Sequence, residues 1–391
     1  MKTFRLAHLI SHPIQYRVPL YRALERDPRV DLTVFYCSKR GLEAYQDVGF
    51  GQTVQWDVPL TDGYAHTFLP NWKQSSRTAG LLNDVNPSVV TELRKGQFDA
   101  IWLSGHNSIT HLMAVAAAKL TRTKVLMRAE THLKLQRGGF KKRFRKLIMS
   151  SFYRFVDVGL PIGTLNAEFY QAHGISAENL SLVPYAVDNQ FFVERVAQAD
   201  PQMVRNRLGV SADKPIILFA SKLIGRKRPL DLLKAFHQLQ TRGVDAALVY
   251  VGSGELEVTL KQYAQTHNVR DVIFCGFQNQ TELPSFYAAA DVFAFPTENE
   301  PWGLVLNEVM CAGLPIVASA EIGAVPDLVH HGENGLLFEA GDVAQLSAHL
   351  ETLVANTNLR TAMGARSLEI IEQWSYTQCV EGIVAALEKT V

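Results

Sequence analysis

Short apolar runs alternate with amphipathic stretches of helical spacing along most of the chain. Apolar and β-branched runs bounded by polar or glycine-containing segments predict buried strands, and apolar positions three and four residues apart predict helices. The predicted strands are Phe4–Ile10, Val30–Tyr36, Val54–Val58, Phe98–Leu103, Lys124–Met127, Val156–Leu160, Leu180–Val183, Ile216–Ala220, Ala247–Val251, Val272–Cys275, Ala290–Phe295 and Pro315–Ser319. The predicted helices include Val18–Glu25, Asn86–Lys95, Ile109–Leu120, Leu230–Leu239, Leu304–Ala312, Asp342–Ala355 and Tyr376–Glu388.

Strands that alternate with helices in this way predict an α/β protein with doubly wound parallel sheets. The chain has 391 residues, more than a single hydrophobic core usually holds, so we expect two domains. We place a first Rossmann-like domain over residues 1–190 and a second over residues 191–373, in tandem and facing across a cleft. The polar stretch from Val183 to Gln202 predicts the linker between them, and the stretch from Thr61 to Ser76 predicts a long loop.

Two glutamates eight residues apart, Glu300 and Glu308, mark the most informative stretch of the chain. A strand-like run precedes Glu300, and a helical pattern begins at Leu304. We therefore expect Glu300 on a turn and Glu308 about one turn into a helix. The backbone N–H groups of Gly303, Leu304 and Val305 should face the site, where a helix start favours an anion. Two carboxylates placed in this way can hydrogen-bond different parts of a polyhydroxyl ligand.

A cationic loop follows the predicted strand Ile216–Ala220. It holds four cations in the seven residues from Lys222 to Arg228. Cations at the carboxyl end of a strand are well placed to neutralise a diphosphate, and the alternative is a solvated basic turn. Further on, Gly252-Ser-Gly254 is a weak dinucleotide signal because the third glycine of that motif is missing. Tight packing of strand and helix explains these glycines equally well.

Polar side chains also follow the strand ends of the first half. Ligands of doubly wound sheets bind beyond the carboxyl ends of the strands. His12, His106, Glu130 and His132 all fall in loops at such positions, and Gln15 lies in the same loop as His12. Their shared location makes them candidate binding residues, although each one alone is equally well explained as a structural histidine or carboxylate.

Charge is distributed unevenly along the chain. Residues 1–190 carry 24 of the 39 Lys and Arg residues and 15 of the 38 Asp and Glu residues, which leaves 15 basic and 23 acidic residues for the remainder. The segment Arg137–Lys146 holds six cations in ten residues, interleaved with phenylalanines. This pattern predicts a basic amphipathic helix that contacts an anionic membrane surface or a phosphorylated lipid. The alternative is a solvated helix whose apolar side packs on the core.

Composition and missing motifs exclude several other classes. The chain is 47% hydrophobic and 20% charged, as ordinary globular proteins are, and no apolar run reaches the ~18 residues that span a bilayer. The start of the chain lacks a signal-peptide pattern. The four cysteines are far apart in sequence, so we expect free thiols in a reducing cytoplasm and no metal site. Neither GxSxG nor HExxH is present, which disfavours serine hydrolases and zinc peptidases.

The glutamate stretch and its surroundings resemble a known family. Glu300-Pro-Trp-Gly-Leu-Val-Leu-Asn-Glu308 matches the E-x7-E motif of retaining GT-B glycosyltransferases and is most similar to glycosyltransferase family 4, group 1. Gly323-Ala-Val-Pro-Asp327 resembles the family's G-G-I-P-E turn. Lys222-Leu-Ile-Gly-Arg-Lys227 resembles its phosphate clamp, with lysine in place of the first arginine. The resemblance covers the whole chain, although Ser11–Tyr16 replaces the Gly-Gly loop of many members.

The resemblance implies a role for each matching residue. Lys222 and Lys227 would hold the diphosphate of a nucleotide sugar, Glu308 would bind its ribose, and Glu300 and His106 would act at the transferred sugar. The further donor contacts implied are backbone groups of Gly303, Leu304, Val305, Gly276, Phe277 and Gln278. The residues then expected on the acceptor side are His12, Gln15, Glu130 and His132. The resemblance also implies that no metal or other cofactor is needed, and that the final helix, about residues 374–391, packs back on the first domain.

These observations predict a retaining hexosyltransferase. It would transfer a sugar from a UDP- or GDP-sugar to a glycan or a polyprenyl-phosphate-linked acceptor, in the synthesis of cell-surface polysaccharide or glycoconjugate. We expect it in the cytoplasm, peripheral at the inner membrane surface, with no nucleic-acid partner. Two alternatives remain open: a sugar-nucleotide epimerase or phosphorylase on the same fold, and a non-catalytic subunit that binds a nucleotide or a glycan.

Overall fold

The computed structural model describes residues 2–47, 49–73, 82–105, 108–135 and 149–390. Two features predicted from the sequence, His106 and the basic segment Arg137–Lys146, lie outside the described residues. The chain divides into two compact units. Unit 1 comprises Met1–Tyr45, Pro59–Ala186 and Ser375–Val391, and unit 2 comprises Gln46–Val58 and Val187–Trp374. This division differs from the predicted one chiefly because residues 46–58 belong to unit 2.

The first half of the chain forms a parallel sheet with helices in its connections. The strands of this half are β1 (Phe4–Ile10), β2 (Val30–Tyr36), β3 (Tyr45–Asp47), β4 (Gln52–Val54), β5 (His66–Phe68), β6 (Ala100–Ser104), β7 (Lys124–Arg128) and β8 (Val158–Gly159). Strands β3 and β4 form a separate two-stranded sheet, the hairpin β3–β4. The helices of this half are α1 (Val18–Arg26), α2 (Ser88–Gly96), α3 (Ile109–Thr121) and α4 (Thr164–Ala172). The sheet of unit 1 has the order β5-β2-β1-β6-β7-β8. The strand order therefore reverses between β1 and β6, and the carboxyl ends of these two strands flank the crevice in which such sheets bind ligands.

The second half repeats the same architecture. Its strands are β9 (Ile216–Ala220), β10 (Ala247–Val251), β11 (Val272–Phe274), β12 (Val292–Phe295), β13 (Ile316–Ser319) and β14 (Gly335–Phe338). Its helices are α5 (Asn189–Gln198), α6 (Pro201–Leu208), α7 (Pro229–Thr241), α8 (Glu257–Thr266), α9 (Leu283–Ala289), α10 (Val305–Cys311), α11 (Val325–Leu328), α12 (Val343–Ala355), α13 (Thr357–Ile371) and α14 (Tyr376–Glu388). The sheet of unit 2 has the order β11-β10-β9-β12-β13-β14 and is parallel throughout. Its strand order reverses between β9 and β12.

The central strands of unit 2 are uniformly apolar because helices cover both faces of a doubly wound sheet. Every residue of β9, β10 and β12 is buried. The register aligns Phe293 of β12 with Leu218 of β9. This alignment brings the loops that follow the two strands to one edge of the sheet.

Four local predictions were wrong, each where a short or polar signal was misleading. The strand predicted at Val54–Val58 is Gln52–Val54, and the predicted loop Thr61–Ser76 contains β5. Leu180 makes only an isolated bridge to Gly159 rather than beginning a strand. The predicted linker holds α5 and α6, whose starts are capped by the side chains of Asp188 and Asp200. Aspartate is among the strongest N-cap residues, so this signal was present in the sequence.

The last helix, α14, belongs to unit 1. Its Ile383 and Leu387 are fully buried, and Glu381 forms an ion pair of 2.6 Å with Arg29. Ser181 donates a hydrogen bond of 2.8 Å to the carbonyl of Gly382. The chain thus returns to unit 1 after completing unit 2. In the parts of the chain that the structure describes, no helix combines the length and apolar character needed to cross a bilayer.

Candidate functional site

Two loops meet at the point of unit 2 where the strand order reverses. One loop follows β9 and carries the predicted cations, and the other follows β12 and carries Glu300. The carbonyl of Arg226 accepts hydrogen bonds from the backbone N–H of Glu298 at 2.9 Å and from the hydroxyl of Thr297 at 3.0 Å. The two loops therefore form one bonded structure at the edge where ligands of doubly wound sheets bind.

Glu300 lies between two cations of the first loop. Its Oε2 atom forms an ion pair of 2.6 Å with Nη1 of Arg226 and another with the ammonium group of Lys227. Glu300 and Lys227 are each only 8% exposed. Burial lowers the pKa of Lys227, although the negative charge of Glu300 opposes this shift. Carboxylate and ammonium thus hold each other in position, in a buried site where charges interact strongly because water screens them little.

The turn after Glu300 is fixed by glycine and tryptophan. Gly303 has a φ of +96°, a conformation that side chains disfavour. The buried ring of Trp302 donates a hydrogen bond of 3.0 Å to Asn307 and packs on Trp374. Helix α10 begins two residues after Gly303, so the strand, turn and helix predicted from the sequence are confirmed, with Glu308 one turn into the helix.

Glu308 is a partly buried carboxyl group beside a tyrosine. The hydroxyl of Tyr287 donates a hydrogen bond of 2.5 Å to its Oε2 atom. Burial raises the pKa of Glu308 to about 7, although the Tyr287 hydrogen bond opposes this shift. The carboxyl group therefore changes its charge near neutral pH, which affects its capacity to accept hydrogen bonds from a ligand.

The hairpin β3–β4 contacts the cationic loop, and no pattern in the sequence predicts this contact. Asp47 forms an ion pair of 2.7 Å with Lys222. The ring of Phe50 lies under the same ammonium group, 4.5 Å from the ring centre. Ser253, in the turn after β10, donates a hydrogen bond of 2.9 Å to the carbonyl of Phe50. One of the two predicted phosphate ligands, Lys222, is therefore engaged by a carboxylate from the first half of the sequence.

The same hairpin also contacts the turn after β11. Phe277 packs against Phe50 and Trp56, with ring centres 4.7 Å and 6.5 Å apart. Asn279 donates a hydrogen bond of 2.8 Å to the carbonyl of Gln55. Of the three residues that were predicted to contact a base, Phe277 has its ring against the hairpin, whereas Gly276 accepts a hydrogen bond from Gly252 and Gln278 bonds the carbonyl of Cys275.

Close packing, rather than a dinucleotide, accounts for Gly252 and Gly254. A Cβ atom on Gly252 would lie 2.0 Å from the carbonyl oxygen of Ser221, and one on Gly254 would lie 2.6 Å from that of Leu223. The backbone N–H of Leu223 bonds the carbonyl of Ser253 at 2.9 Å. The turn after β10 therefore supports the loop that carries Lys222, and it can do so only without side chains at these two positions.

The candidate residues of unit 1 follow β1 and β7. Burial, and then the charge of Arg40, lower the pKa of His12 to about 4, so its imidazole is neutral at pH 7. Glu130 forms an ion pair of 2.5 Å with Arg17, and His132 is buried. Gln15 is partly buried in the loop that holds His12.

The next feature is the arrangement of side chains that could bind a metal ion. Among the described residues, no group of three or more His, Cys, Asp or Glu side chains is arranged to hold a metal ion. The four cysteines are free thiols. The site chemistry of unit 2 thus consists of carboxylates, lysines, arginines and backbone groups.

The family model described as glycosyl transferases group 1 matches residues 202–369. The match includes both loops of the site, with Lys222, Lys227, Glu300 and Glu308. This part of the chain, which makes up most of unit 2, is therefore similar to the group 1 glycosyltransferases, in agreement with the group 1 resemblance found in the sequence.

Relatives and solved structures extend the comparison to the rest of the chain. The sulfoquinovosyl transferase SQD2 of Arabidopsis thaliana is 28% identical over 75% of this chain, which spans 57% of that protein. A GDP-mannose-dependent phosphatidylinositol monomannoside mannosyltransferase of Corynebacterium glutamicum is 29% identical over 73% of this chain and 74% of its own. The structure of Anabaena HepE in complex with UDP has a TM-score of 0.74 at 19% identity and covers 99% of this chain and 100% of that one. This likeness confirms the predicted GT-B fold with its two Rossmann-like domains.

Proposed function

We propose that the chain is a retaining glycosyltransferase that uses a nucleotide diphosphate-sugar as its donor. The observation that carries the proposal is the pair of bonded loops in unit 2, where Glu300 lies between Arg226 and Lys227. These loops lie within the region that matches the group 1 glycosyltransferases. Two relatives with nucleotide-sugar or sugar-transfer activity in their names, and a similar fold solved with UDP, support the same class of donor.

The proposed donor contacts follow from charge and position. Lys222, Arg226 and Lys227 lie in the loop between β9 and α7. They supply the positive charge that stabilises a diphosphate leaving group. Glu300 accepts hydrogen bonds from hydroxyl groups of the transferred sugar, and Glu308 accepts them from the ribose. Because Lys227 and Glu300 are both buried, their orientation is fixed before the donor binds, so little reorganisation opposes the reaction.

The proposed reaction breaks the bond between the anomeric carbon and the diphosphate oxygen. The acceptor hydroxyl attacks from the same face, and the departing phosphate oxygen takes its proton, so the anomeric configuration is retained. Stabilisation of the developing negative charge on the diphosphate is then the main contribution of the protein. Removing a single group of this kind typically costs 10²–10³-fold in rate.

We also propose a glycan or a polyprenyl-phosphate-linked acceptor, with peripheral contact to an anionic membrane surface on the cytoplasmic side. The cations of Arg137–Lys146 support this contact, and exposed apolar side chains of unit 1 support it independently. Leu112, Leu120 and Phe155 are 40%, 85% and 52% exposed. Binding to vesicles with anionic lipid should be stronger than to neutral vesicles and should weaken with salt. Equal binding to both kinds of vesicle would contradict the proposed contact.

Product analysis with a panel of UDP-, GDP- and ADP-sugars tests the proposed function. We expect consumption of one donor only when an acceptor is supplied, with release of the nucleoside diphosphate and an unchanged anomeric configuration in the product. Conversion of the donor without an acceptor would instead identify an epimerase. Donor binding without any turnover, across a broad set of glycan and lipid-linked acceptors, would identify a binding subunit.

A further inference from the structure

Two buried arginines meet at the carboxyl edge of the unit 1 sheet. Arg17 stands at the start of α1, shortly after β1, and Arg128 is the last residue of β7. Strand β6 lies between β1 and β7, and its last residue, Ser104, is aligned with Arg128. The three residues therefore lie on both sides of the point where the strand order reverses, the usual place for a ligand in such sheets.

Within the described parts of the chain, most of the hydrogen-bond donors of this cluster have no acceptor. Arg17 is 3% exposed and Arg128 is 2% exposed. Each donates a hydrogen bond through Nη2: Arg17 to Glu130 at 2.5 Å, and Arg128 to the carbonyl of Pro184 at 3.2 Å. The Nε and Nη1 atoms of both arginines, and Oγ of Ser104, are buried without a hydrogen-bond partner among the described residues. Buried polar atoms nearly always have partners, and unpaired ones are costly.

The cluster also has more positive than negative charge. Both guanidinium groups lie near the ring of Tyr185, at 5.5 Å for Arg17 and 5.3 Å for Arg128. Burial, and then the charge of Arg17, lower the pKa of Arg128. The nearby thiol of Cys379 stays neutral, because burial raises its pKa to about 11. Glu130 is thus the carboxylate that balances two buried cations, and an additional anion would supply both the missing charge and the missing acceptors.

We infer that Arg17, Ser104 and Arg128 form a subsite for an anionic group, a phosphate or a carboxylate, and that Glu130 holds Arg17 until this anion replaces it. Guanidinium groups present paired N–H donors that match the oxygens of both kinds of anion. The Glu130 side chain is 35% exposed, so it can exchange with a ligand without first opening the core. If the proposed function is correct, the anion is part of the acceptor, and this assignment rests on that function. The existence of the anion subsite does not depend on it.

Site-resolved titration tests the subsite on the full chain. The Nε–H signals of arginine side chains are followed by ¹⁵N NMR during addition of inorganic phosphate and, separately, acetate. The loss of one signal in each of R17K, R128K and R205K assigns the three arginines. The Arg205 signal then serves as the internal reference. Arg205 is also buried but forms an ion pair of 2.6 Å with Asp291 in unit 2. We expect saturable shifts of the Arg17 and Arg128 signals and none of Arg205, and the anion that acts at lower concentration identifies the source.

Glu130→Gln separates an anion subsite from a purely structural cluster. The variant removes the competing carboxylate but keeps the size of the side chain, so it should bind the anion roughly three- to tenfold more tightly, whereas R17K should bind it roughly tenfold more weakly. If R128K does not fold, titrations of the wild type, E130Q and R17K still test whether the cluster binds an anion. Unmoved signals up to tens of millimolar of both anions, or weaker anion binding by E130Q, would overturn the inference.

The same variants distinguish this inference from the proposed function. If the cluster binds the anion but the chain transfers no sugar, the inferred subsite is supported and the proposed transferase function is rejected. In an active enzyme, R17K should raise the KM for the acceptor and leave the KM for the donor unchanged. Sugar transfer with no response of the Arg17 and Arg128 signals to either anion would retain the transferase and reject the subsite.

Discussion

The charge state of Glu308 depends strongly on its surroundings. Its neighbour Tyr287 supplies one hydrogen bond, but burial leaves the pKa of Glu308 at about 7, above its ordinary value of 4.5. The folded protein therefore holds a proton that the unfolded chain releases between these values. The corresponding contribution to stability is present at low pH and is lost as the pH rises toward 7.

Glu308→Gln should remove this pH dependence. Relative to the wild type, the variant should gain stability between pH 5 and pH 8, by on the order of 2 kcal/mol, because its amide does not titrate. Denaturant unfolding of both proteins at the two pH values measures the difference. A constant difference between variant and wild type across this range would show that Glu308 is ionised throughout.

A pattern of charged partners defines the proposed donor site among the individual residues. Glu300 shares one oxygen with two cations, and Lys222 is bound by Asp47. The sequence indicated Glu300, Lys222 and Lys227 as candidates because the family motif that they resemble fixes their types and spacing. It did not identify Asp47, because nothing in the local pattern of residues 46–58 indicates a partner 175 residues away.

At the scale of elements, the hairpin β3–β4 engages Lys222 through the ion pair with Asp47. Replacing Asp47 with Asn should strengthen binding of a nucleoside diphosphate by a few-fold, because partly exposed ion pairs are worth up to about 1 kcal/mol. Asp57→Asn is the matched control, since Asp57 follows β4 in the same segment of unit 2 but accepts hydrogen bonds from Thr281 rather than pairing with a cation. Calorimetric titration with UDP and GDP measures both. Weaker binding by D47N alone would show that Asp47 positions Lys222 for the phosphate instead of competing with it.

The turn after β10 supports the cationic loop through its lack of side chains. Gly252→Ala should lower the free energy of unfolding by roughly 2 kcal/mol or more, because its Cβ would lie 2.0 Å from the Ser221 carbonyl. Gly225→Ala is the control for stability, since a Cβ there meets nothing within 4 Å. Denaturant unfolding compares the two. Equal losses of stability would show that the turn and the loop adjust freely to each other.

Sequence patterns predicted the elements with strong periodicity and missed those held by distant partners. Strands β1, β2, β9 and β10 coincide with their predicted limits because their apolar runs are long and sharply bounded. Strands β4 and β5 have three residues each, too few for a period to be recognised. Arg128 was not singled out because it ends a buried strand, and only the three-dimensional structure brings it close to Arg17.

At the scale of the whole molecule, the order of the chain does not match its division into units. Unit 1 contains the last helix, α14, and unit 2 contains the hairpin from the first sixth of the sequence. Chain length and the alternation of strands and helices sufficed to predict two Rossmann-like domains, but the exchange of segments depends on long-range contacts. These contacts also determine which unit a mutation destabilises.

Ile383→Ala in α14 should reduce hydrogen-exchange protection in the strands of unit 1, although it is contiguous in sequence with unit 2. Leu350→Ala in α12 should reduce protection in unit 2 instead. Both side chains are fully buried, and such truncations typically cost 2–5 kcal/mol. Mass-spectrometric hydrogen exchange of the two variants reports each unit separately. Loss of protection in unit 2 from I383A would contradict the assignment of α14 to unit 1.

Transfer kinetics of two neighbouring glutamate variants test whether unit 2 binds a nucleotide sugar through Glu300 and its cations. Glu300→Gln should lower kcat by roughly 10²–10³-fold. Glu298→Gln, in the same loop but paired with Arg228, should retain activity close to that of the wild type. The kinetics are measured with the donor and acceptor that the panel identifies. Equal kcat values for E300Q, E298Q and the wild type would contradict the proposed role of Glu300.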